Sequence, residues 1–231
     1  MRRTRKTRRT RRRTRKARRG GAHWLPALQA ETAALQRLAN AKDPYNRPFL
    51  VTGSTAVALF LFELLTSDAT YLTATERAEG EAHRTALAKP ADLDFKYRRQ
   101  GPLFDAQAGG GLFDLSALLG SENTTCEDFI LLDGFRCCEP WEENPIFKRL
   151  PDTESLFEKV EFHTPREYRR KRMPIARIGE VEMLGMADVL GFYETYTRAG
   201  ENAPKMAVLR WMMGVLERHP ELADKYLGSR S

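Results

Sequence analysis

Between Pro48 and Leu65 the chain reads PFLVTGSTAVALFLFELL, and few folds accommodate that order of residues. Phe49 to Thr52 has the character of a short buried strand. Gly53 breaks it, and a helix through Leu65 follows, with Ser54 placed to cap its start. An apolar strand that turns at once into an apolar helix commits both to one core. This predicts an α/β (α+β) domain built on a small mixed β-sheet flanked by helices. The Gly-Ser turn also gathers bare backbone N–H groups and the positive end of the helix dipole, where glycine lets an anion approach closely. The same turn serves equally well as a capped bend with no ligand.

Further along, PADLDFKYRR at residues 90–99 predicts a strand over Ala91 to Arg98. Side chains alternate along a strand, so Asp92 and Asp94 share one face while Leu93 and Phe95 share the other. Two carboxylates at neighbouring same-face positions repel unless a cation lies between them. Mg²⁺ suits that place, because it accepts one or two carboxylates together with water and phosphate oxygens. Taken alone, the pair also fits a solvated strand face. A third strand over Lys159 to His163 turns Val160 and Phe162 inward and sets Glu161 on the opposite face with Lys159 and His163. If it lies beside Ala91 to Arg98, Glu161 completes a carboxylate triad able to hold two Mg²⁺ about 3.5–4 Å apart. His163 reads as a polar neighbour rather than a ligand, since Mg²⁺ prefers oxygen donors.

The remaining chain divides by composition. Ala27 to Ala41 has strong helix formers with Leu28, Ala34 or Leu35, and Leu38 at helical spacing. Residues 43–48 end that helix as a turn, and residues 66–90 form a helix or an insertion. Residues 100–125, with three consecutive glycines, read as a loop or flap, and 139–152 as irregular. Phe129 to Leu132 and Ile175 to Glu182 read as strands. Two helices follow, over 184–197 and 204–218, the second with Met206, Leu209, Trp211 or Met212, Met213 and Leu216 on its apolar side. The organisation is a basic tail over 1–20, an α/β core over 21–182 and a helical region over 183–231.

Gly53-Ser54 at a strand-to-helix turn, Asp92-Leu93-Asp94 on the next strand and Glu161 on a later one resemble the nucleotidyltransferase fold of the DNA polymerase β-like superfamily. The layout looks most like its uncharacterised and abortive-infection-toxin-like branch, where helices follow the catalytic strands much as IARIGEVEMLGMADVLGFYETY and PKMAVLRWM do here. The resemblance covers roughly residues 45–215. It implies a site in which Asp92, Asp94 and Glu161 are catalytic and hold Mg²⁺, while Gly53 and Ser54 hold the triphosphate of an NTP. Related chains often place a lysine in the helix after the last strand. Gly191-Phe192-Tyr193 stands there in this chain, and Lys205 is the candidate phosphate contact.

The net charge of +7 conceals two unlike parts. Residues 1–20 contain thirteen Lys or Arg and no acid; taking these from the total of 38 leaves 25 bases against 31 acids. The tail is too polar to order itself by burial and is suited to a polyanion. Its arginines, Arg2, Arg3, Arg5, Arg8, Arg9, Arg11, Arg12, Arg13, Arg15, Arg18 and Arg19, can fork onto phosphates without reading sequence. A nuclear or nucleolar address is an equally good reading of the same charges, and such arms also occur on proteins of large DNA viruses. No apolar run reaches the ~18–20 residues of a membrane span, and no apolar segment of a secretory leader follows the basic start. Three cysteines, Cys126, Cys137 and Cys138, fit neither a disulfide framework nor a zinc site and indicate a reducing, intracellular setting.

Two functions follow. One is an Mg²⁺-dependent transfer of a nucleoside monophosphate from an NTP to a hydroxyl, with nucleic acid the favoured acceptor. The other is a nucleic-acid-binding or packaging protein that keeps the same fold without the chemistry.

Overall fold

The computed structural model describes residues 24–42, 49–97, 130–132, 134–139, 146–163, 173–196, 200 and 202–228. The basic tail, the expected turn over 43–48 and the expected flap over 100–125 lie outside them. The described chain forms helix α1 (Trp24–Lys42), strand β1 (Phe49–Thr52), helices α2 (Gly53–Thr66) and α3 (Ala74–Ala86), and strand β2 (Asp92–Tyr97). Strands β3 (Ile130–Leu132), β4 (Phe135–Glu139), β5 (Ile146–Arg149), β6 (Lys159–His163), β7 (Ile175–Ile178) and β8 (Val181–Leu184) follow. Helices α4 (Met186–Tyr196), α5 (Ala203–Arg218) and α6 (Ala223–Leu227) close the chain.

All eight strands join one mixed sheet in the order β3-β4-β5-β6-β2-β1-β8-β7. β2 runs antiparallel to β1 and parallel to β6, and β1 runs parallel to β8. The fold is thus a mixed sheet flanked by helices with further helices at the C-terminus, as expected.

One face of the central strands carries a layer of apolar side chains. Phe49, Val51, Leu93, Phe95, Val160 and Phe162 are buried there, joined by Phe147 of β5. Phe162 sits at the centre of this layer, its ring 5.0 Å from Phe49, 5.3 Å from Phe95 and 5.5 Å from Phe147. Helix α2 is buried on nearly every side and packs against both the sheet and the C-terminal helices. Its one acid inside the apolar run, Glu63, accepts a 2.7 Å bond from Lys225, which also bridges to Asp68. Asp68 in turn accepts the hydroxyl of the fully buried Tyr226, so this polar cluster fastens the short α6 to the end of α2.

Several boundaries differ from expectation. α1 begins at Trp24, and Leu38 faces outward at 40 % exposure because the buried stripe runs through Leu25, Leu28, Leu35 and Ala39 instead. Gln36 lies in that stripe and is satisfied by the edges of β1 and β8, its amide donating to the Phe49 and Glu182 carbonyls. The segment read as irregular contains β5, and the expected single strand over 175–182 is a hairpin of β7 and β8. Gly179 makes that turn at φ 57°, a backbone region costly for other residues. Ser54 is not the cap of α2: the cap position is Thr52, and the helix starts at Gly53.

α3 carries a capping box in which the Thr73 hydroxyl accepts the Glu76 N–H and the Glu76 carboxylate accepts the Thr73 N–H. That backbone bond is the main reason the Glu76 carboxyl is held down to about 2; burial opposes it, and Arg218 assists. A depressed carboxyl stabilises the fold fully above its unfolded value of 4.5 and loses that contribution as pH falls toward 2. We therefore expect Glu76→Gln to cost about 1–2 kcal/mol at neutral pH. In urea titrations across pH, the gap from wild type should narrow through this acid window. A gap that does not change with pH would refute the assignment.

Candidate active site

The polar face of the central strands is organised in rungs set by strand register. Thr52 pairs with Asp94 and Asp94 with Glu161, so residues of three strands form one line across the sheet. The next rung pairs Lys96 with His163, and the preceding one pairs Asp92 with Lys159. Cross-strand neighbours project to the same side with Cβ atoms about 4.5–5.5 Å apart, which brings side chains far apart in sequence into contact.

Asp94, Glu161 and His163 converge. The His163 Nε2 lies 3.0 Å from Asp94 Oδ1 and 3.7 Å from Glu161 Oε2. One ligand atom from each of the three falls within 4.8 Å of the others. Their side chains are 18, 15 and 22 % exposed, withdrawn from bulk water yet open to a ligand. Expected Asp92 stands apart from this trio. Its carboxylate meets Lys159 Nζ at 3.3 Å, and the same ammonium binds Glu161, so a lysine occupies the space between Asp92 and Glu161. Burial raises the Asp92 pKa, and Lys159 offsets only part of that rise. Burial alone would lower the Lys159 pKa, but its bonds to the two acids outweigh burial and raise it.

Gly53 adjoins the trio directly. It adopts φ 66°, and a Cβ placed on it would stand 2.0 Å from Asp94 Oδ2. Only glycine leaves that carboxylate its present position while opening α2 beside it. Ser54 follows as the second helical residue and is half-buried. The Thr55 hydroxyl donates to the Asp92 carbonyl at 2.9 Å, tying the first turn of α2 to β2. Thr52 is 1 % exposed, and among the described residues its hydroxyl has no hydrogen-bond partner, although it shares the Asp94 rung.

Helix α4 borders this face. Lys96 Nζ lies 4.0 Å from the centre of the Phe192 ring. The Tyr193 pKa is raised, chiefly by burial and secondarily by the Asp94 charge. Lys205 on α5 holds its ammonium 5.5 Å from the Tyr193 ring centre.

Of the expected residues, the structure brings Gly53, Asp94 and Glu161 together, turns Asp92 toward Lys159 and sets Lys205 behind Tyr193. The tail arginines lie outside the described residues. Sequence reasoning read His163 as a polar neighbour rather than a ligand, and gave no part to Lys159 as a bridge or to Thr52 in the rung. Alternation within β6 held the signal for the first two, because Lys159, Glu161 and His163 occupy successive same-face positions.

Two carboxylates and an imidazole converge, a donor set that could hold a divalent ion. Among the described residues no helix is long and apolar enough to cross a membrane. Compared with models of protein families, with curated proteins and with solved structures, the chain gives no match.

Proposed function

We propose that the chain is a divalent-ion-dependent nucleotidyltransferase, moving a nucleoside monophosphate from an NTP to a hydroxyl acceptor, with nucleic acid favoured by the basic tail. The observation that supports it best is the convergence of Asp94 and Glu161 beside the Gly53 opening of α2. In this reading the acceptor oxygen bonds to the α-phosphorus, the bridge to the β-phosphate breaks, pyrophosphate leaves, and the acceptor proton passes to a carboxylate. Mg²⁺ is the ion that the sequence motifs favour; when bound it would neutralise charge on the phosphates. Asp94 and Glu161 would hold a divalent ion, while the first turn of α2 at Gly53 and Ser54 would offer N–H groups to the triphosphate. Lys205 is the candidate for the outer phosphates. Resemblance to the nucleotidyltransferase superfamily accords with this arrangement.

The second reading, a nucleic-acid-binding or packaging protein with the chemistry unused, draws on Lys159. Its ammonium already pairs with both Asp92 and Glu161 and offsets one of their two charges without an ion. One experiment separates the two. The full chain is incubated with each labelled NTP, Mg²⁺ and a mixed RNA and protein pool, alongside the Asp92→Ala, Asp94→Ala double variant. Label transferred by wild type and lost in the variant supports the enzyme; no transfer by either gives the site to the binding protein. Under the second reading, deleting residues 1–20 abolishes a strongly salt-dependent nucleic-acid affinity.

A further inference from the structure

Resting on the nucleotidyltransferase reading, we propose that the protein's own ion is a single first-row transition-metal ion held by Asp94, Glu161 and His163. Lys159 takes the place of a second ion. Mg²⁺ then enters only as the companion of the triphosphate.

Three independent features carry this. The first is donor chemistry. An imidazole nitrogen stands within ligand distance of both carboxylates, 3.0 Å from one and 3.7 Å from the other. Mg²⁺ demands near-ideal octahedral oxygen coordination, whereas Mn²⁺ and its heavier neighbours accept imidazole with carboxylate. Binding an ion here needs no new side chain, since His163 already points its Nε2 between Asp94 and Glu161.

The second feature is the lysine. A two-ion site would use the gap between Asp92 and Glu161, and the Lys159 ammonium bridges that gap. A second divalent ion there would have to displace it or accept a like charge a few ångströms away. Lys159 supplies the positive charge from the strand itself, one rung from Glu161.

The third feature is Thr52. Among the described residues its hydroxyl, buried to 1 % exposure, has no partner, and such a group is costly to leave unpaired. Thr52 pairs with Asp94 in the register of β1 and β2, one position before the Gly53 opening of α2. Gly53 keeps the approach clear, because any Cβ there would intrude on Asp94 Oδ2.

The test uses the full chain stripped of metal and titrated with Mn²⁺ in the absence of nucleotide, followed by electron paramagnetic resonance. One Mn²⁺ should bind per chain, and Mg²⁺ should compete only at roughly tenfold or greater excess. The pulsed spectrum should carry nitrogen modulation from a coordinated imidazole. His163→Gln should abolish that modulation and weaken Mn²⁺ roughly tenfold or more. Two ions per chain, no Mn²⁺ binding, or bound Mn²⁺ without nitrogen modulation in the wild type would each overturn the proposal, whether or not the variant folds. The nucleotide-transfer assay fails separately. Nitrogen-coupled Mn²⁺ on a chain that transfers no label keeps this assignment and removes the enzyme, while transfer supported by two oxygen-bound Mg²⁺ does the reverse.

Discussion

Gly53→Ala is expected to lower stability by about 2–4 kcal/mol and to weaken divalent-ion binding at least tenfold. Two costs combine. An L side chain at φ 66° sits in the left-handed region, worth roughly 1–2 kcal/mol by itself. The new methyl would also meet Asp94 Oδ2 at 2.0 Å, Cγ at 2.8 Å and Cβ at 3.1 Å. Because the contact extends to the root of a short side chain, Asp94 cannot escape by turning its tip alone. It must swing its carboxylate away, losing the bond to His163 and the alignment with Glu161. Thermal melting and Mn²⁺ titration read the two effects separately. Ser54→Ala, one residue on and within the helix, serves as control and should change stability by less than about 1 kcal/mol. A Gly53→Ala protein with wild-type melting and wild-type Mn²⁺ affinity would show that the close approach to Asp94 is not maintained.

The second large effect concerns the opposite face of the same sheet. Phe162→Ala should cost about 3–5 kcal/mol, since it removes the ring around which Phe49, Phe95 and Phe147 pack and leaves a void that those rings cannot close. Against a typical total of about 5–15 kcal/mol, this threatens folding outright. Phe162→Leu keeps most of the volume and should cost less than about 1.5 kcal/mol. Urea unfolding of both variants ranks them. Equal costs for alanine and leucine would mean that the aromatic layer is not tightly packed. The effect reaches the site because β6 presents Phe162 to the core and its neighbours Glu161 and His163 to the ligand face.

Much of this arrangement was legible in the sequence wherever a strand alternated cleanly. DLDFKY and KVEFH place acids on one face and aromatic rings on the other, and period-two geometry leaves no alternative once they pair. FLVT followed by Gly-Ser marked β1 and α2. What stayed hidden depends on partners rather than on local pattern. The β7–β8 hairpin reads as one run because IARIGEVEML keeps its alternation through the turn, and only Gly179 interrupts it. IFKR and FRCCE are short, and neither signals a strand until β6 supplies a neighbour for the first and the first for the second. Gly-Ser announces a helix cap at Ser54, yet the positive φ of Gly53 moves the cap back to Thr52. Lys159 and His163 were placed on the correct face, but whether a lysine would bridge Asp92 and Glu161 is settled by register across strands.

That register has a further consequence for how such a chain can change. The gap between Asp94 and Glu161 is fixed by backbone ladder bonds between two touching strands, so the 67 positions from one to the other exert no leverage on it. A change of length in the connections within that stretch leaves the spacing of the two carboxylates to the strand pairing. A single-residue slip of β6 does the opposite: it would carry both Glu161 and His163 into the phenylalanine layer at one stroke. Variation in length is therefore nearly harmless to this centre, while variation in phase destroys it.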